Sequence, residues 1–225
     1  MNSRWLGRLP ALSGAIFAVF GFVRGGGDDS APTASSSGEQ IATYAYHHGL
    51  PNSIYYAELG AFLALMVFSI VLYSRLRAAE PRGAIAAKVV VAACVVSVAI
   101  KLGSFPAVYA LYSSPVQLDP GVARPLWVIG ESAFTISMLV QALSLGAVAA
   151  SGLAFGGIPR WLAGTAGVIA VALVVGLILG GNFQVAPTLA WFLWLLASSV
   201  ALLVRAPRAE SGEQLAPTGF SPSAV

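Results

Sequence analysis

Apolar runs broken by short polar interruptions recur six times along this chain: Leu9–Val23, Ile54–Tyr73, Ala84–Tyr112, Leu126–Phe155, Trp161–Leu179 and Val185–Val204. Most reach the ~20 residues that an α-helix, rising 1.5 Å per residue, needs to cross a hydrocarbon core of ~30 Å. The pattern predicts an all-α fold, a polytopic membrane helical bundle of six transmembrane helices filling residues 1–205 as one domain. The first run is the shortest, and Arg4 and Arg8 precede it in the manner of a signal peptide. Arg24-Gly-Gly-Gly, and no small-x-small cleavage site, follows Val23, so the run is expected to remain as a helix.

The longest interruption, residues 24–53, changes character midway. Gly25 to Ser37 is rich in Gly, Ser, Ala and Pro, with Asp28 and Asp29, and reads as a flexible linker. Ser36-x-x-Glu39 then has the form of a capping box. Ile41, Tyr44, Ala45 and His48 follow at helical spacing, and Gly49 with Pro51 ends the run. A short outer amphipathic helix over about residues 37–48, lying on the outer membrane face over the bundle, is expected. The last segment, 206–225, holds Ser, Pro, Glu and Gly and reads as a disordered cytoplasmic tail.

Composition narrows the solvent to lipid. The chain is 57% hydrophobic and 9% charged, with a mean hydropathy of +0.81, against roughly 25% charged residues in soluble domains. The single cysteine, Cys94, excludes a disulfide framework and a Cys-based metal site. Arg4, Arg8, Arg75, Arg77, Arg82, Lys88, Arg160, Arg205 and Arg208 all fall on one side of the six runs, leaving Arg24 and Arg124 in the opposite loops. By the positive-inside rule both termini are cytoplasmic, in the plasma (inner) membrane of a bacterium. The net charge of +3 is this asymmetry; with no basic patch carrying interleaved aromatics, nucleic acid is excluded as a partner. Tyr55, Tyr56, Tyr109, Tyr112 and Trp127 at the outer ends, and Trp5, Tyr73 and Trp161 at the inner ends, suit the aromatic belts of the interface.

Candidate chemistry lies where charge enters the apolar runs. Cys94, Ser97, Lys101 and Ser104 fall on one helical face of the third run, which should point into the bundle. Glu58 lies about 7 Å and Glu131 about 9 Å down their own runs at 1.5 Å per residue, and the long Lys101 stem carries its ammonium outward to meet them. Lys101, Glu131 and Glu58, with Ser97, Ser104 and Thr135, are therefore the candidate polar cluster, with Lys101 expected to pair with Glu131 and with Glu58. The same cluster reads either as a staple fixing helix register or as a polar pocket open to the outside.

Other features carry less. His47 and His48 are the only histidines and weak metal candidates, since adjacent helical residues diverge by ~100°. Gly146 with Ala150 and Gly176 with Gly180 have the spacing that lets helix backbones approach, and Pro106 and Pro187 are candidate kinks. No metalloprotease, serine-hydrolase or phosphate-loop motif appears. No catalytic residue and no cofactor are expected.

Leu9-Pro-Ala-Leu-Ser-Gly, Glu39-Gln-Ile-Ala-Thr-Tyr-Ala-Tyr-His-His, Arg75-Leu-Arg-Ala-Ala-Glu, Ala123-Arg124-Pro-Leu-Trp127 and Ile158-Pro-Arg-Trp-Leu162 occur in this order along most of the chain. Together they resemble a family of bacterial multi-pass integral membrane proteins of unknown function, frequent in actinobacteria. That resemblance implies a six-helix membrane protein with an outer helix after the first span, and supplies no activity. The expected function is a non-enzymatic accessory, sensor or assembly component with an outward-facing polar pocket, whose partners are the lipid bilayer and a small ligand or another membrane protein. The alternative is a small-molecule or proton-coupled transporter using Lys101, Glu131 and Glu58.

Overall fold

The computed structural model describes residues 9–25, 31–33, 35–50, 52–81 and 85–204. The tail 206–225, the terminal arginines Arg4, Arg8, Arg205 and Arg208, and Arg82, Trp5, Asp28 and Asp29 lie outside the described residues. All regular structure among them is helical: α1 (Ser13–Gly25), entered through a 3-10 turn at Leu9–Leu12; α2 (Gly38–His47); α3 (Asn52–Ala79); α4 (Ala86–Ser113); α5 (Pro120–Ala154); α6 (Arg160–Leu179); and α7 (Val185–Val204), entered through a 3-10 turn at Gly181–Gln184.

The helices α3 to α7 are each long and apolar enough to cross a membrane, while α1 with its leading turn is shorter. Their outer faces carry Leu63, Val67, Ile70, Val96, Leu139, Val171, Ile178 and Leu193 exposed. So many exposed branched aliphatics on one protein are stable only where hydrocarbon, and not water, surrounds them.

Order in the chain is order in space. Each long helix packs on its neighbour in sequence, α1 packs on α3, and α7 returns to α1, so six helices close into a ring. Specific ties hold it. Trp194 on α7 donates its Nε1 proton to the Leu162 carbonyl of α6 at 2.9 Å, Ser97 on α4 donates to the Ser137 carbonyl of α5 at 3.2 Å, and Ser144 on α5 donates back to the Val90 carbonyl of α4 at 3.4 Å. In lipid such bonds and tight packing must do what hydrophobic burial does in water.

Small residues set the closest approaches, at positions other than those expected. A Cβ on Gly152 would stand 2.7 Å from that of Ala163, and one on Gly14 would stand 2.6 Å from Phe68. Nothing lies within 4 Å of such an atom on Gly146, whereas Gly176 abuts the Phe183 carbonyl of the turn and Gly180 takes φ +71° as the helix C-cap. The Gly146–Ala150 and Gly176–Gly180 spacings therefore mark an open face and a helix end.

The short helix α2 begins where expected but one residue later in register. Ser37 is its N-cap and Gln40 its reciprocal partner, the Ser37 hydroxyl accepting from Gln40 N at 3.2 Å and Gln40 Oε1 from Ser37 N at 2.8 Å, so the box is Ser37-x-x-Gln40. Ahead of it Thr33 and Ser36 form a hydrogen-bonded turn. The apolar face of α2 does not rest on lipid. Ile41, Ala42 and Ala45 are buried with Leu111 of α4 and Ala123 of α5, so α2 caps one end of the ring. Tyr55, expected in an aromatic belt, is likewise buried, edge-on to Tyr109 at 4.9 Å and Phe105 at 6.3 Å.

Candidate functional site

The end of the ring beneath α2 is hollow. A cavity of about 640 Å³ runs down its axis, walled by α1, α3, α4, α5 and α7 and by the end of α2. Each wall is a helical stripe: Phe17, Phe20 and Gly21; Glu58, Ala61, Phe62 and Leu65; Ser97 and Lys101; Phe134, Ser137 and Met138; Thr188, Trp191 and Phe192. These spacings of three, four and seven residues put each set on one helix face. The aromatic wall is interlocked, with Phe17 packing on Trp191 at 5.5 Å, on Phe62 at 5.7 Å and on Phe192 at 6.0 Å.

A second cavity of about 380 Å³ lies beside the first, between α3, α4 and α5. Lys101, Glu58, Tyr112 and Phe134 line both, and Glu131, Ser104 and Tyr55 line the second only. Further along the axis, beyond Leu65 and Trp191, the space shrinks to about 20 Å³ among Ser69, Cys94, Gln141 and Ser144. That is room for about one water molecule.

The structure brings five of the six candidate residues to these cavities. Lys101 is half-buried with its ammonium 5.3 Å from the Phe134 ring centroid, a cation–π contact that a membrane-embedded cation favours. Glu58 is half-buried and Glu131 exposed. The stripe expected on α4 does face inward, with Cys94, Ser97 and Ser104 all buried. Thr135 lines neither cavity.

The hydroxyls in the walls are engaged by backbone. Ser97 donates to the Ser137 carbonyl, Ser137 to Phe134 at 2.7 Å, Ser104 to Lys101 at 2.8 Å and Thr188 to Gln184 at 2.8 Å. Of the histidines, His48 lines the mouth of the axial cavity, its ring stacked on Tyr44 at 4.2 Å, while His47 is exposed beside Tyr46. Among the described residues no group of three or more His, Cys, Asp or Glu side chains is placed to hold a metal ion.

Sequence reasoning missed the aromatic wall. Its only signal was the recurrence of Phe, Trp and Met at helical spacing, in helices whose lipid-facing sides are as apolar as their inner ones. It also passed over Glu80, a buried carboxylate at the far end of α3. Comparison with protein-family models, with curated proteins and with solved structures gives no match.

Proposed function

We propose that this chain is a six-helix protein of the bacterial plasma membrane, with both termini in the cytoplasm, that acts without catalysis as an accessory or sensor component by taking a small ligand from the outer side into its axial cavity. One observation carries the reading: a cavity of about 640 Å³ in which a lysine and a glutamate stand over an aromatic wall. Ligand pockets of roughly 300–1,000 Å³ with mostly apolar walls and a few convergent polar groups are the usual form of a small-molecule site.

Sidedness follows from charge. Arg75, Arg77, Lys88 and Arg160 lie at the end of the ring away from α2, against Arg24 and Arg124 at the α2 end. The α2 end is therefore the outer one. Wall hydroxyls engaged by backbone carbonyls support a binding role over a catalytic one. The transporter reading needs a passage past Leu65 and Trp191, where the axial space narrows to about 20 Å³.

The test uses cysteine accessibility. Cys94 is buried and serves as an unreactive background. Thr188→Cys and Phe20→Cys place a thiol at half-buried positions on the cavity wall, and Val171→Cys on the lipid-facing surface is the control. A membrane-impermeant methanethiosulfonate added to intact spheroplasts should modify both wall positions and spare the control. Modification only from the cytoplasmic face, or only after unfolding, overturns the proposal.

A further inference from the structure

The two cavities share Lys101 and Glu58 but differ in chemistry. The axial one continues from these charges into the aromatic wall of Phe17, Phe62 and Trp191, whereas the side cavity adds a second carboxylate, Glu131. A molecule filling both needs an apolar body for the first and a polar head at the junction. The head faces one ammonium and two carboxylates.

Resting on the ligand-binding reading above, we propose that the ligand is a zwitterionic amphiphile. Its single apolar chain lies along the axial cavity. Its anionic group, a phosphate or a carboxylate, meets the Lys101 ammonium, and its cationic group lies between Glu58 and Glu131.

Elimination of the simpler heads supports this. A purely anionic head would gain Lys101 but press against two carboxylates, and a purely cationic head would gain the carboxylates but press against Lys101. A neutral head would displace water from the half-buried Lys101 and Glu58 and bring no charge to either, which is costly at low dielectric. A zwitterion replaces water at each. The Phe134 ring lies under the Lys101 ammonium and lines both cavities, so the cation is held at the junction where the head must sit. Phosphate and carboxylate heads share this chemistry, one pointing to a membrane phospholipid and the other to an acylated amino acid.

The experiment uses the full chain in nanodiscs and four lauroyl probes, each brominated at the end of the tail: lysophosphatidylethanolamine, Nα-lauroyl-lysine, lysophosphatidylglycerol and monolaurin. Bromine quenches tryptophan on contact, so quenching that disappears in Trp191→Phe reports a tail in the axial cavity; native mass spectrometry of the wild type gives affinities independently of that variant. At least one of the two zwitterions should bind about tenfold or more tighter than the anionic and neutral probes, the scale of one added charge-assisted contact. The tighter zwitterion identifies the head. Lys101→Met and Glu131→Gln should each abolish the preference, and Lys101→Arg should keep it.

The outcomes separate the two readings. Equal binding of all four probes overturns the zwitterionic head and leaves a ligand-binding cavity. The absence of any quenching or bound mass, with the wall cysteines still labelled from outside, overturns an amphiphile as ligand. Unlabelled wall cysteines together with no probe binding overturn both.

Discussion

Glu80, at the end of α3, accepts the backbone N–H of Ala87, in the first turn of α4, at 2.9 Å. The N-cap position of α4 is Ile85, which has no side-chain oxygen to offer, so a carboxylate from the preceding helix serves instead. Its negative charge faces the positive end of the helix dipole. Glu80→Ala should therefore lower stability by about 1–2 kcal/mol, the cost of losing a buried cap. Glu80→Gln, which keeps an acceptor and loses the charge, should cost less. Cys94, the one cysteine in the chain and a buried one, makes the measurement simple. A thiol-reactive dye reports unfolding on heating, and an unchanged midpoint for Glu80→Ala would remove this cap from the account.

The contrast between Glu80 and Lys101 shows what was legible in the residues. Long apolar runs dictate long helices because the backbone must satisfy itself in lipid, and five of the six runs appear as such helices with ends shifted by a few residues. Lys101, Glu58 and Glu131 stood out because charge in an apolar run is costly, and their convergence on adjoining cavities follows from that cost. Glu80 sits at a polar boundary where acids are ordinary, so nothing in its surroundings announced burial. The aromatic wall was hidden for another reason. When both faces of a helix are apolar, periodicity cannot tell Trp191, which lines the cavity, from Leu193, which faces outward. An amphipathic stripe fits lipid or protein equally well, so the place of α2 over the bundle was legible but not the burial of Ile41, Ala42 and Ala45 there.

The same distinction can be measured with glycines. A Cβ on Gly152 would lie 2.7 Å from Ala163 and 2.9 Å from Ile158, at the α5–α6 crossing. One on Gly146 would meet nothing within 4 Å. Gly152→Val should destabilise by roughly 1–3 kcal/mol, as overpacking does, while Gly146→Ala should be neutral or stabilise by about 0.4–1 kcal/mol through lost backbone freedom. Equal effects at the two positions in the thermal dye assay would mean that the α5–α6 crossing is not set by Gly152.

The docking of α2 depends on another close approach. A Cβ on Gly38 would collide with the Pro120 carbonyl at the start of α5. Gly38→Ala should lift α2 from the ring, and Ser37→Ala should fray its first turn at a cost of about 1 kcal/mol. Hydrogen exchange of residues 38–47 should speed up in both variants while that of α5 beyond its first turns stays unchanged. If exchange in α2 were unaltered by Gly38→Ala, its seat on α5 would be wrong.

Sidedness can be read from reporter fusions. Alkaline phosphatase, which folds only outside the cytoplasm, should be active when inserted after Pro115, between α4 and α5, and inactive when fused at Val225. A fluorescent protein that matures in the cytoplasm should give the opposite pattern. Reversal of both would place the α2 end, and the cavity mouth, on the cytoplasmic side.

Lys101 separates a staple from a site most directly. If its ammonium chiefly holds the ring together, removing it leaves the half-buried Glu58 without a compensating charge, and Lys101→Met should lower the unfolding temperature. If the lysine is held for a ligand, its chief contribution is to binding and not to the packing of the ring. A methionine of similar length would then pack on Phe134 at no such cost. Glu131, exposed at the rim of the second cavity, is not part of that half-buried set. We therefore expect ligand-free Lys101→Met to unfold close to the wild-type temperature in the dye assay and to lose its preference for the zwitterionic probes. A marked fall in that temperature with the preference intact would make Lys101 a staple.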